Sequence, residues 1–210
     1  MTTFDVTVPL RRDLPTYAGE PGVTLEYHKR LERGDPYNVS TISLGSHTGT
    51  HVDAPYHFID GAPTVDQIPL DALIGPCLVV EHSGDAHLSA DDLDRWNPPR
   101  DTSRLLIKTR NSRFWDDDRF HEDYIALTAD AANWIVDRGI LLVGIDYLSI
   151  EQFGATKFVV HETLLKRNVV ILEGLDLRGV SAGRYQMVCA PLLVVGAEGA
   201  PARVLLWTDD

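Results

Sequence analysis

The sequence predicts a β-rich α/β fold, a single domain over residues 1–210 built as a mixed sheet or barrel with flanking helices. Three observations predict it. Short runs of β-branched and apolar residues recur along the whole chain and outnumber the helical stretches. These runs are too irregularly spaced for a doubly wound sheet, and no glycine-rich strand-to-helix turn of the dinucleotide-binding type occurs. No low-complexity linker, charge block or internal repeat divides the chain.

In chain order, the β-type runs fall at residues 4–10, 39–44, 77–81, 105–109, 141–145, 169–172, 187–191 and 203–207. Between them, residues 90–96 read as a short helix. Residues 128–138 read as an amphipathic helix stopped by Gly139, and residues 162–168 as another short helix. With 44% apolar and 24% charged residues in 210, the chain can fill a core and has no segment expected to be disordered.

Charge and cysteine usage narrow the classes of partner. The formal charge of -12, from 19 Lys plus Arg against 31 Asp plus Glu, repels a phosphate backbone and argues against nucleic acid. Cys77 and Cys189 sit in apolar runs that read as buried strands, with no disulfide framework. The start Met1-Thr2-Thr3-Phe4-Asp5 lacks the basic and apolar regions of a signal peptide, and no apolar run approaches the ~20 residues of a membrane span. The expected location is the cytoplasm, without membrane contact.

One segment concentrates chemistry. Ser46-His47-Thr48-Gly49-Thr50-His51-Val52-Asp53-Ala54-Pro55-Tyr56-His57 places three imidazoles and a carboxylate close together. Gly49, the β-branched Thr48, Thr50 and Val52, and Pro55 all oppose a helix, so an extended segment is expected. Side chains alternate along an extended chain, which puts His47, His51, Asp53 and His57 on one face. His47, His51 and Asp53 then supply the nitrogens and hard oxygen that suit zinc or manganese, with a position left open for water. His57, beyond Pro55, is expected to act as a general acid and base rather than a further ligand.

A second group follows. Val159-Val160-His161-Glu162 feeds a short helix, and Val169-Val170-Ile171-Leu172-Glu173-Gly174 returns as a strand. Antiparallel packing of the two brings Glu173 toward His161. Alone, the pair equally fits a capping histidine and an ion-paired glutamate. His28, His82, His87 and His121 lack ligand spacing and are expected at the surface.

The run from His47 to His57 resembles the signature of the cyclase-type metal-dependent hydrolases, the family of bacterial kynurenine formamidase and isatin hydrolase. The similarity extends to Val143-Gly144-Ile145-Asp146, to His161 with Glu173, to Glu173-Gly174-Leu175-Asp176-Leu177 and to Ala200-Pro201-Ala202-Arg203. The resemblance implies a swivelling β/β/α fold and up to two cations per subunit, usually zinc and sometimes manganese. It also implies a homodimer or larger homo-oligomer. His47, His51 and Asp53 would hold one cation, and Asp53, His161 and Glu173 the second, with His57 as catalytic acid and base. Tyr17 falls where bacterial kynurenine formamidases carry a tryptophan, so it either stacks on an aryl substrate or packs as an amphipathic core residue.

The expected activity is therefore hydrolysis of a small-molecule amide by metal-activated water, arylformamidase-like, converting N-formylkynurenine to kynurenine and formate. The same site would suit a cyclic amide, imide or lactone, as in an isatin hydrolase. A metal-binding protein without turnover is the alternative from another class, and it has no use for His57. No G-x-S-x-G supports a serine nucleophile, and both cysteines lie in surroundings that suppress thiol reactivity.

Overall fold

Alternating apolar stretches form ten strands in the computed structural model, which describes residues 1–208: β1 (Thr3–Asp5), β2 (Thr24–Lys29), β3 (Val39–Ser43), β4 (His51–Asp53), β5 (Ile74–Glu81), β6 (Arg104–Lys108), β7 (Leu142–Ile145), β8 (Val170–Glu173), β9 (Gly183–Pro191) and β10 (Gly199–Trp207). Seven of them close into a barrel in the order β10-β4-β8-β7-β6-β5-β9, with β9 pairing back to β10. Strand β1 extends the far end of β10, and β2 with β3 forms a separate ribbon. The β5–β6, β6–β7 and β7–β8 pairs are parallel and the remaining pairs antiparallel, so the sheet is mixed as predicted.

Parallel neighbours need crossovers, and helices supply them. A single turn, α1 (Leu70–Leu73), leads into β5; α2 (Ala90–Trp96) links β5 to β6, α3 (Ala129–Asp137) links β6 to β7, and α4 (Val159–Leu165) links β7 to β8. Period-2 alternation sorts the strand side chains into two layers. Val52, Leu106, Leu142, Val170, Leu172, Met187 and Val204 fill the barrel. Leu105, Ile107, Val143, Ile145 and Ile171 face outward, under the apolar sides of α2, α3 and α4. Strand β4 reads His-Val-Asp: Val52 enters the barrel core, which leaves His51 and Asp53 on the outer, helix-covered side.

Differences from the sequence-based expectations have local causes. Strand β1 is shorter than 4–10, because Pro9 has no N–H to give a ladder and only Thr7 makes a further bridge, to Leu175. The third predicted helix begins three residues earlier than expected, since the first-turn amides of Val160 and His161 donate to Glu151, a remote carboxylate that local sequence cannot reveal as a cap. Strand β2 lies outside the predicted β-type runs; it pairs only with β3 and its alternate residues, Thr24, Glu26 and His28, are exposed. Both cysteines are buried and free, and burial pushes each thiol up to about 12. Among the described residues no helix is long and apolar enough to cross a membrane.

Candidate metal centre

The segment from 47 to 57 is not one extended strand, which corrects the expectation from spacing. His47 lies in a turn in which Gly49 takes a left-handed conformation (φ +66°), and Pro55 opens a 3-10 turn that carries His57. Only His51 and Asp53 owe their common face to strand alternation. Register does the rest: β4 lies between β10 and β8, with His51 directly opposite Glu173 and Asp53 opposite Gly199. Cross-strand partners share a face, so Glu173 joins His51 and Asp53 on the outer side. Helix α4 crosses that side and delivers His161.

Two glycines make room for this convergence. A side chain at Gly199 would bring a Cβ within 2.7 Å of the Val52 carbonyl and 2.9 Å of His47 Cε1. At Gly174 the backbone is left-handed (φ +72°), and a Cβ would fall 2.1 Å from the Gly49 carbonyl oxygen. Gly174→Ala therefore combines backbone strain with a clash against main chain. Equilibrium denaturation of the metal-free protein should show a loss of about 2–5 kcal/mol.

The result is two overlapping groups whose ligand atoms all lie within 4.8 Å of one another: His47, His51 and Asp53, and Asp53, His161 and Glu173. His51 Nε2 stands 3.5 Å from Asp53 Oδ1 and 3.3 Å from Glu173 Oε2. His161 Nε2 stands 3.8 Å from Asp53 Oδ2 and 3.4 Å from Glu173 Oε1. His47 Nδ1 approaches Asp53 Oδ1 to 2.9 Å without the alignment of a hydrogen bond. Thus all five predicted ligand residues come together, and Asp53 belongs to both groups.

Their remaining contacts turn the reactive atoms inward. His51 Nδ1 is 2.9 Å from the Gly49 carbonyl and donates to it, which leaves Nε2 with its lone pair toward the centre. The Ile150 amide donates to Glu173 Oε1. Yet His47 Nε2, His51 Nε2 and both oxygens of Asp53 are buried with no hydrogen-bond partner. Buried polar atoms are almost always satisfied, and unpartnered atoms on three clustered side chains, beside a second buried carboxylate, fit a divalent cation. The donor set of imidazole and carboxylate suits zinc or manganese equally.

Electrostatics follow from this crowding. Burial opposes charge on His47 and His161, but Asp53 beside the first and Glu151 and Glu173 beside the second outweigh it, raising them to about 9 and about 10. Burial likewise opposes ionisation of Asp53 and Glu173, and the imidazoles overcome it, holding both carboxyls below their ordinary range. His57 goes the other way: burial lowers it, and the neighbouring His47 and His161 add to that against the pull of Asp53. Its ring lies 4.1 Å from that of His47 and belongs to neither ligand group.

Aromatic side chains border the centre. Phe58 stacks on His161 at 4.6 Å and meets Phe158 at 5.2 Å. Tyr17 is half-buried, edge-on to Phe120 at 5.3 Å, tilted against Phe153 at 6.1 Å and close enough to Glu173 and Glu151 that their charges help burial raise its hydroxyl. Tyr17 thus packs among aromatic side chains at the edge of the centre.

Two acids at the centre have no signal in the sequence. Glu151 contacts His161 Nδ1 at 3.3 Å, and Glu198 lies 3.5 Å from His47 Nε2. Neither shares a spacing with the histidine it serves. Asp146, from the Val-Gly-Ile-Asp motif, lies elsewhere: it is fully buried and accepts from the amides and hydroxyls of Thr109 and Ser112. Of the histidines expected at the surface, His28 and His87 are exposed, whereas His82 and His121 are half-buried; His121 stacks on Phe114 at 4.1 Å and pairs with Asp117.

Comparison with known proteins agrees with this geometry. Residues 4–152 match the family model described as Cyclase, putative cyclase. Cyclase-like protein 1 of Oryza sativa subsp. japonica is 36% identical over 97% of this chain and 77% of its own. The kynurenine formamidase of Maricaulis maris is 32% identical, over 97% and 96%. Among solved structures, a predicted metal-dependent hydrolase from Bacillus stearothermophilus superposes with a TM-score of 0.84 at 37% identity, over 98% of this chain and 97% of that one. Isatin hydrolase A from Labrenzia aggregata does so with a TM-score of 0.85 at 26% identity, over 98% and 93%. With a barrel, a ligand cluster and relatives that align almost end to end, the chain belongs to the cyclase family.

Proposed function

We propose that the protein is a metal-dependent hydrolase of non-peptide amides, arylformamidase-like, which converts N-formylkynurenine and water to kynurenine and formate. The convergence of buried ligand atoms from five residues, those of His47, His51 and Asp53 partly orphaned, carries the reading, and similarity to kynurenine formamidases supports the substrate class. Isatin hydrolases of the same fold favour a second substrate class, the cyclic amides. Zinc is our choice of cation, manganese the alternative, in up to two positions: His47, His51 and Asp53 would hold one, and Asp53, His161 and Glu173 the other.

When bound, a divalent cation supplies Lewis acidity, polarising a carbonyl and acidifying water. The chain's own groups do the rest. His57, half-buried beside His47 and outside both ligand groups, takes a proton from the attacking water and returns it to the departing nitrogen. Tyr17, Phe58 and Phe158 offer an aromatic border on which an aryl ring stacks.

The test is hydrolysis of N-formylkynurenine and of isatin by metal-analysed protein, before and after chelation. Chelator-sensitive turnover of the first alone supports an arylformamidase, and of isatin alone the cyclic-amide reading. Turnover of neither by metal-replete protein rejects both.

Cation uptake should also depend on pH with a definite sign. Metal-free His47 and His161 carry protons below about 9 and about 10, and a ligating imidazole must shed its proton. Between pH 6 and 8, binding is expected to release about two protons and the affinity to rise with pH. Calorimetry in buffers of differing ionisation enthalpy reads that number directly.

The same chain is expected to self-associate. The β2–β3 ribbon leaves Tyr27, Val39 and Ile42 exposed, and two strands alone are marginal in water, which supports a homodimer. Light scattering should give at least twice the chain mass; a monomer mass rules the dimer out.

A further inference from the structure

Each inward-facing imidazole leans on an acceptor outside the ligand set, and one of those acceptors stands apart. Glu151 is itself buried, 7% exposed, yet it belongs to neither ligand group. One oxygen, Oε2, accepts from the Val160 amide at 2.9 Å and the His161 amide at 3.2 Å, and lies 3.3 Å from His161 Nδ1. The carboxylate therefore grips both the backbone and the ring of a single ligand residue. Its own chain is held in turn: the Glu151 amide donates to Ser149 Oγ, the Tyr124 hydroxyl donates to the Glu151 carbonyl, and the adjacent Ile150 amide donates to Glu173. One short segment, 149–151, thus anchors both His161 and Glu173.

We propose that Glu151 is a positioning residue for the second cation position, formed by Asp53, His161 and Glu173; the inference rests on the metal-dependent reading of this site. An imidazole that donates from Nδ1 to a carboxylate is locked with Nε2 free and made more basic, which strengthens it as a ligand. Nε2 of His161 is the atom that faces Asp53 and Glu173. Because the same oxygen fixes the first turn of α4, the ring and the helix that carries it are set by one group. The grip of Glu151 falls on His161, which belongs to the second ligand group and not to the group of His47, His51 and Asp53, so the effect is confined to one position.

The experiment is a titration of the metal-free full chain with cobalt(II), followed by visible absorption, for the unaltered protein and for Glu151→Gln, Glu151→Asp and the exposed-site control Glu162→Gln. The unaltered protein and the control should bind two cations. Glu151→Gln should bind the first with unchanged affinity and the second about 10–100-fold more weakly. Glu151→Asp, which keeps the charge, should recover part of that loss. A role confined to capping α4 would lower the melting temperature of the metal-free variant and leave the ratio of the two affinities unchanged, which overturns the proposal. Equal loss at both positions overturns it as well. Failure of the unaltered protein to take up a second cation would instead reject the two-position reading. If Glu151→Gln does not fold, the affinity ratio in Glu151→Asp decides alone: a second site weakened relative to the first sustains the proposal, and an unchanged ratio ends it.

Discussion

Asp53→Ala is expected to abolish both cation binding and turnover while leaving the barrel intact. Asp53 is the one residue common to both ligand groups, its two oxygens facing His51 on one side and His161 on the other. Neither oxygen accepts an aligned hydrogen bond, and the one close partner, His47, can shed its proton once the carboxylate is gone. Loss of the Lewis acid forfeits several kcal/mol of transition-state stabilisation, about a 1000-fold or larger fall in rate. Val52, not Asp53, faces the barrel core, so circular dichroism should change little. Metal analysis of the purified variant decides the matter: two cations retained, with turnover near normal, would refute the assignment of this centre.

Much of that centre is legible in the sequence because ligand chemistry depends on residue type and density. His47, His51, Asp53 and His57 stand out by crowding, and the return from α4 to β8 does bring Glu173 to His161. The geometry that spacing suggests for the first group is partly wrong. Even spacing over eleven residues points to one strand, whereas the glycine at 49 and the proline at 55 break the backbone on either side of β4. Those residues argue against a helix, and they argue equally against a long strand.

What the sequence does not reveal is tertiary in origin. Barrel closure depends on β9 returning to β10, a pairing set by twist and packing rather than by any local pattern. Glu151 and Glu198 act on histidines through space, ten residues away in one case and far along the chain in the other. The start of α4 escapes local signals for the same reason, because its cap is Glu151 and not a neighbour. The strands β5, β6, β7 and β8, by contrast, are visible as short apolar runs, since each is covered on both faces and needs little beyond apolar side chains.

His57→Ala is expected to separate chemistry from metal binding. The ring stands beside His47 at 4.1 Å, on a 3-10 turn opened by Pro55, and belongs to neither group of ligand atoms. Removing a positioned general acid and base costs about 100- to 10000-fold in turnover, and metal content should stay at the unaltered level. Burial, reinforced by His47 and His161, holds His57 below the ordinary imidazole value, so it is neutral and ready to accept a proton at neutral pH. The acid limb of kcat should accordingly lie below the ordinary imidazole pKa of about 6.5 and vanish in the variant. Loss of a cation would make His57 a ligand instead. Persistence of the acid limb would transfer the proton step to another group, and Glu198, which reaches His47 from the exposed side, is the next one placed to carry it.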